Sequence, residues 1–122
     1  MQDNKIKSYK DLLVWQKSME LVKQIYKLTE NFPSSEAYGL SSQMRRAAVS
    51  MPSNIAEGSR RSSKKDFRNF LFNAFGSGAE LETQVELVRS LSFGEKLNYQ
   101  KVDNLLSEVM KMLNTMIFKS NL

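Results

Sequence analysis

The chain has no cysteine and no histidine. The first absence excludes disulfides and thiolate metal sites, and it suits the reducing cytoplasm in which the protein is expected to work. The second removes the commonest general base and the commonest transition-metal ligand. Glycine (5) and proline (2) are scarce for 122 residues. Sheets need many turns and turns draw on those two residues, so a few long helices are favoured. No apolar run approaches the ~20 residues of a membrane span, and no membrane partner is expected. The polar stretch 1–8 lacks the hydrophobic run of a signal peptide and is expected to be a flexible tail on a single domain spanning 1–122.

Against these absences stands an uneven distribution of charge. The formal net charge is +5, from 18 Lys and Arg against 13 Asp and Glu. Between Arg45 and Arg68 lie seven cations (Arg45, Arg46, Arg60, Arg61, Lys64, Lys65 and Arg68) and two anions, Glu57 and Asp66. That window carries 7 − 2 = +5, and the remaining 11 cations and 11 anions cancel. A basic segment on a neutral body is the electrostatic footprint of a polyanion binder.

Four periodic segments predict an all-α, antiparallel, up-and-down four-helix bundle. In the first, from about Tyr9 to Asn31, Leu12, Trp15, Met19, Val22 and Tyr26 follow the 3-4 spacing of a bundle seam, and Ile25 and Leu28 widen the stripe. Ser8 and Asp11 resemble a capping box at its start, and Phe32-Pro33 marks its end. The second, from about Ser35 to Glu57, has the seam Leu40, Met44, Ala47, Met51 and Ile55. Pro52 within it predicts a kink rather than a break, and Gly58 is read as its C-cap. The third, from about Lys64 to Ser92, runs Phe67, Leu71, Ala74, Gly78, Leu81, Val85, Val88. Small residues from Ala74 to Ala79 at its middle suggest close approach of a neighbouring helix. The fourth, from about Tyr99 to Lys119, runs Val102, Leu106, Val109, Leu113, Met116, with Asn98 as N-cap and a staple from Leu97 to Val102.

Within this frame Arg60 and Arg61 fall in the loop between helices two and three. Lys64 and Lys65 fall in the first turn of helix three, behind a Ser62 or Ser63 cap. Cations there oppose the helix dipole, and a phosphate would satisfy free amides and cations together. The functional reading is contact with a nucleic-acid backbone without base specificity; the bland one is a solvated basic loop. Arg45 and Arg46 are expected to include at least one that pairs with an acid, Glu80, Glu82 and Glu86 of helix three being the candidates. Those carboxylates with Glu57 lack the histidines of a carboxylate di-iron bundle, so neither metal nor cofactor is expected. The methionines, Trp15 and the phenylalanines read as core. With no nucleophile–base pair and no P-loop, no enzymatic activity is expected.

Several stretches together resemble a known family: Leu13-Val14-Trp15-Gln16, Phe32-Pro33, Tyr38-Gly39-Leu40, Gln43-Met44-Arg45-Arg46-Ala47-Ala48, Ser50-Met51-Pro52-Ser53-Asn54-Ile55-Ala56-Glu57-Gly58, Gly76-Ser77 and Glu80-Leu81-Glu82-Thr83-Gln84. The chain resembles, over about residues 9 to 118, bacterial four-helix-bundle proteins encoded in 23S rRNA intervening sequences. These are similar to the accessory protein of diversity-generating retroelements. The resemblance implies a basic, ring-like homopentamer that binds RNA or DNA, and for the retroelement branch a reverse-transcriptase partner. Gly78 and Phe75 depart from the family's pattern. Two functions stay open: a nucleic-acid-binding homo-oligomer using the seven cations, and a protein-interaction scaffold for which nucleic acid is incidental.

Overall fold

Apolar spacing sets where each helix lies, and local hydrogen bonding sets where it starts. In the computed structural model, which describes residues 8–119, α1 spans Leu13–Thr29, α2 Leu40–Ser59, α3 Lys64–Ser90 and α4 Gln100–Phe118. Single 3-10 turns at Tyr9–Asp11, Ser34–Glu36 and Ser92–Gly94 fill the connections, and the described residues contain no strand. The remaining residues, including nearly all of the expected tail, lie outside the described residues. Each helix packs on its sequence neighbour and α4 closes back on α1, with no diagonal pair in close contact. Short connections between long helices give the antiparallel four-helix square that the periodicity predicts.

Three starts differ from expectation. Helix α2 begins at Leu40, five residues later than expected, because Ser34–Glu36 forms a separate 3-10 turn. The Ser8 hydroxyl accepts from the Lys10 amide at 3.1 Å and so caps the 3-10 turn rather than α1, which begins four residues later than expected after an extended Leu12. Asn98 Oδ1 accepts from the Gln100 amide at 3.0 Å, while Tyr99 occupies the N-cap position of α4.

Helix α1 is rotated so that the edge of its expected stripe, at Ile25 and Leu28, lies in the core rather than its centre. The buried residues are Val14, Ser18, Leu21, Ile25, Leu28 and Thr29. The expected seam of Leu12, Trp15, Met19 and Val22 is only half-buried, and Tyr26 is exposed. Ser18 is fully buried because its hydroxyl donates to the Val14 carbonyl at 2.6 Å. A serine satisfied by its own helix costs little inside a core.

The other seams hold closely. Met44, Ala47, Met51 and Ile55 of α2 are buried, as are Leu71, Ala74, Gly78, Leu81, Val85 and Val88 of α3. In α4 the last core position is Ile117 rather than Met116. Each fully buried Leu, Ile, Val or Met contributes roughly 1.5–3 kcal/mol. Pro52 does not break α2, which continues about two turns beyond it, to Ser59, with Met51, Pro52 and Ile55 all buried. At Gly78 a Cβ would collide with Met110 Sδ, so the missing side chain is what lets α4 approach. Phe75, one turn earlier, stacks edge-on against Phe118 of α4 at 6.4 Å. The two departures from the family pattern therefore both face α4.

Candidate nucleic-acid interface

The corner between α2 and α3 is built by the stretch from Ser50 to Gly58. Asn54 Nδ2 donates to the Ser50 carbonyl at 2.8 Å and to Ser50 Oγ at 3.0 Å. Ser50 Oγ in turn hydrogen-bonds Ser77 Oγ of α3 at 2.8 Å. The Ser50–Gly58 stretch and the Gly76-Ser77 pair are thus halves of one polar link between helices. Gly58 is not the expected C-cap. It lies inside α2, buried, and no glycine here has positive φ. Its role is steric: a Cβ would meet Phe70 Cβ at 2.6 Å and Phe67 Cδ1 at 3.0 Å.

This tight corner fixes a short basic loop. The Arg60 amide donates to the Glu57 carbonyl at 3.2 Å and the Arg61 amide to the Gly58 carbonyl at 3.1 Å. Ser63, of the two candidate caps, holds the α3 N-terminus, its hydroxyl accepting from the Asp66 amide at 3.0 Å. Lys64 and Lys65 then sit exposed in the first turn, where the dipole favours anions. Neither forms an ion pair among the described residues.

Aromatic rings support both arginines. The Arg61 guanidinium lies 4.7 Å from the centroid of Phe70 and bonds Glu57 at 2.8 Å. The Arg60 guanidinium lies 5.4 Å from the centroid of Tyr9. Arg60, Arg61 and Lys64 line a groove of about 360 Å³ with Tyr9 and Phe67. Lys65 lies beside it, and Arg68 is half-buried one turn further along α3. Tyr9 and Phe70 carry no sequence signal for this role, because a ring below an arginine reads simply as another apolar position.

The seven cations are not one patch. Arg45 and Arg46 lie 14 to 15 residues before Arg60 on the same helix, about 21 Å away at 1.5 Å per residue. Arg45 does not pair with an acid of α3 as expected. Its Nε donates to Thr29 Oγ1 at 2.8 Å, and its guanidinium covers the Tyr26 ring at 4.3 Å. Both partners belong to α1, the helix that faces this side of α2. Arg46 is exposed and takes part in no ion pair among the described residues either. Glu86 instead contacts Arg89 of its own helix at 3.4 Å.

Arg89, at the other end of α3, is held differently. It makes two bonds to Asp103, at 2.6 and 3.1 Å, and lies over the Tyr99 ring at 4.5 Å. The hydrogen bond to Asp103 raises its pKa further above an already high value. The Tyr99 hydroxyl donates to the Gly94 carbonyl at 2.5 Å, and burial pushes the phenol above its ordinary pKa, with the Arg89 charge acting the opposite way. Among the described residues no three His, Cys, Asp or Glu side chains group as metal ligands, and no helix is long and apolar enough to cross a membrane.

No curated protein matches the chain. Among solved structures it is similar to a protein of unknown function from the S23 ribosomal protein family of Bacteroides thetaiotaomicron. The two are 28% identical with a TM-score of 0.75, over 88% of this chain and 100% of that one. The sequence profile of 23S rRNA-intervening sequence proteins matches residues 10–115, from the turn before α1 to the last turn of α4. That match covers the basic corner and the polar link behind it: the chain belongs to the 23S rRNA-intervening sequence protein family.

Proposed function

We propose that this protein is a non-enzymatic, homo-oligomeric helical bundle that binds nucleic acid through phosphate contacts at the α2–α3 corner. One observation carries the reading. Lys64 and Lys65 sit at a helix N-terminus whose dipole disfavours cations, next to Arg60 and Arg61 of the preceding loop, and the two lysines lack an ion-pair partner among the described residues. Stability alone gives no reason for that placement, whereas a phosphate would be met by cations and amides together. Assembly would multiply the effect. Five copies, the number the family resemblance implies, would carry 5 × 5 = +25 formal charges.

Reversing Arg60, Arg61, Lys64 and Lys65 together to Glu tests the assignment. Binding of structured RNA and of duplex DNA, read by fluorescence anisotropy, is expected to disappear while the helical circular-dichroism spectrum is kept. Binding that survives the reversal sinks this site.

A second reading has its own observation. At the same end of the bundle Phe72 (43% exposed) and Phe118 (59% exposed) pack edge-on at 5.5 Å, and Leu13 is bare. An exposed apolar patch suits a protein surface. The partner in that case is another polypeptide, such as a reverse transcriptase, and nucleic acid is incidental. A partner retained in pull-downs after nuclease treatment, and lost with Phe72→Ser and Phe118→Ser, supports this reading over the first.

A further inference from the structure

The cations away from the corner have company that the corner lacks. Arg45 and Arg46 line a groove of about 810 Å³ between the α1–α2 connection and α2, within the size range of small-ligand sites. Tyr38 stands on its rim and is 99% exposed, more than any other large hydrophobic residue among those described. It sits on a turn held by hydrogen bonds. The Ala37 amide donates to the Ser34 carbonyl at 3.1 Å and the Gly39 amide to the Glu36 carbonyl at 3.0 Å. The ring is therefore presented by ordered backbone with nothing packed on either face.

A single exposed tyrosine is ordinary on its own. What distinguishes this one is the chemistry beside it. Arg45 is pre-positioned by Thr29 and by the Tyr26 ring, so little side-chain freedom is left to lose on binding. Arg46 is exposed at the same groove. The two guanidiniums face one carboxylate in the lining, that of Glu30. A planar ring next to an excess of positive charge fits a base stacked beside its own phosphate.

The groove also lines up with the corner. Arg46 and Arg60 are 14 residues apart, which puts them about 40° apart around α2 and about 21 Å along it. A strand of a few nucleotides tracking that face would reach from one to the other, within the ~4–16 nucleotides typical of single-strand sites.

We infer that the Tyr38–Arg45–Arg46 groove holds an unpaired nucleotide, Tyr38 stacking on the base and the arginines meeting the phosphate. The protein then prefers single-stranded or looped nucleic acid to a continuous duplex, whose bases offer no free face. This rests on the nucleic-acid reading above and adds to it the class of ligand.

The test uses the full chain with a 12-nucleotide oligo(U) strand and a 12-base-pair duplex, by anisotropy, with mass read by light scattering. Tyr38→Ala is expected to weaken oligo(U) binding about tenfold or more and duplex binding less than twofold. Tyr38→Phe, which keeps the ring, is expected to bind as the parent does. Arg46→Ala is expected to weaken both ligands and to flatten their salt dependence. Three results overturn the inference. In the first, Tyr38→Ala binds oligo(U) normally while the fourfold corner reversal does not, which leaves the corner reading standing. In the second, Tyr38→Ala lowers the assembled mass and weakens both ligands equally, which makes Tyr38 an assembly contact. In the third, the parent binds neither ligand, and the corner reading falls with the groove.

Discussion

At its C-terminal end α3 holds Arg89 between Asp103, Glu86 and the Tyr99 ring. At its N-terminal end it holds Lys64 and Lys65, with Asp66 the only acid of that turn. The two ends therefore use positive charge for different purposes. Arg89 agrees with the helix dipole, has a bidentate partner on α4, and ties two helices together. The lysines oppose the dipole and tie nothing. Arg89 has its partner within the fold, whereas Lys64 and Lys65 stand open, as the proposed phosphate contact requires.

The sharpest way to break this comparison is to reverse each end separately. Lys64→Glu with Lys65→Glu is expected to weaken nucleic-acid binding roughly a hundredfold, or about 2.8 kcal/mol. The same change is expected to raise thermal stability, since acids at an N-terminus gain about 0.3–1 kcal/mol each. Arg89→Glu is expected to do the opposite. It leaves binding within about threefold and costs about 2 kcal/mol of stability, between the exposed and buried limits for a lost ion pair. If Arg89→Glu, which changes the charge by two against four, loses about half as much in log affinity, net charge governs and the corner has no special status. Anisotropy and thermal melts on the same preparations decide it.

Stability alone separates the glycines of the two helices that meet at the corner. Gly58→Ala forces its Cβ against Phe70, 2.6 Å away, and is expected to cost about 1–3 kcal/mol. Gly76→Ala has nothing within 4 Å to meet and is expected to gain about 0.5–1 kcal/mol from helix propensity. Urea midpoints that move the same way in both would contradict the close-approach role of Gly58.

The smallest effect concerns Tyr99. Its pKa is raised in the folded protein, so the folded state favours the neutral phenol. That stabilisation is complete below the ordinary value of about 10 and is lost as the pH rises through the raised value. Tyr99→Phe is expected to cost about 1 kcal/mol near neutrality, because the Gly94 carbonyl loses its donor. The gap from the parent should narrow in melts above pH 10. A gap that widens there would show that the phenol is not held neutral by the fold.

Most of the bundle was legible in the sequence, and the misreadings share a cause. Periodicity located α2, α3 and α4 and nearly all of their buried positions, because apolar side chains there repeat without interruption. It misplaced the centre of α1's buried face, putting Ile25 and Leu28 at its edge, because Ser18 interrupts the true seam while an unbroken stripe from Leu12 to Tyr26 lies beside it. Hydropathy cannot register that the serine satisfies itself on Val14. Gly58 looked like a cap because sequence does not distinguish a glycine needed for its φ from one needed for its missing Cβ. At least one of Arg45 and Arg46 was expected to have an acidic partner because charge is visible in sequence, whereas the tyrosine ring and threonine hydroxyl that hold Arg45 are not. The loop that carries Arg60 and Arg61 falls between α2 and α3, where the helix periodicity put it. Its separation by about 21 Å from Arg45 and Arg46 needed the helix geometry.

The central claim is that the α2–α3 corner meets phosphates, and the salt dependence of binding tests it most directly. Anisotropy titrations of structured RNA and duplex DNA between 50 and 200 mM salt, on protein of mass fixed by light scattering, give the slope of log K against log salt. Neutralising about four phosphates per chain predicts a slope of about −3 to −4, at about −0.7 to −0.9 per phosphate, reduced to near zero in the fourfold corner reversal. Absent binding, or a slope near zero in the parent, would contradict the account and assign these cations to assembly or to a protein partner.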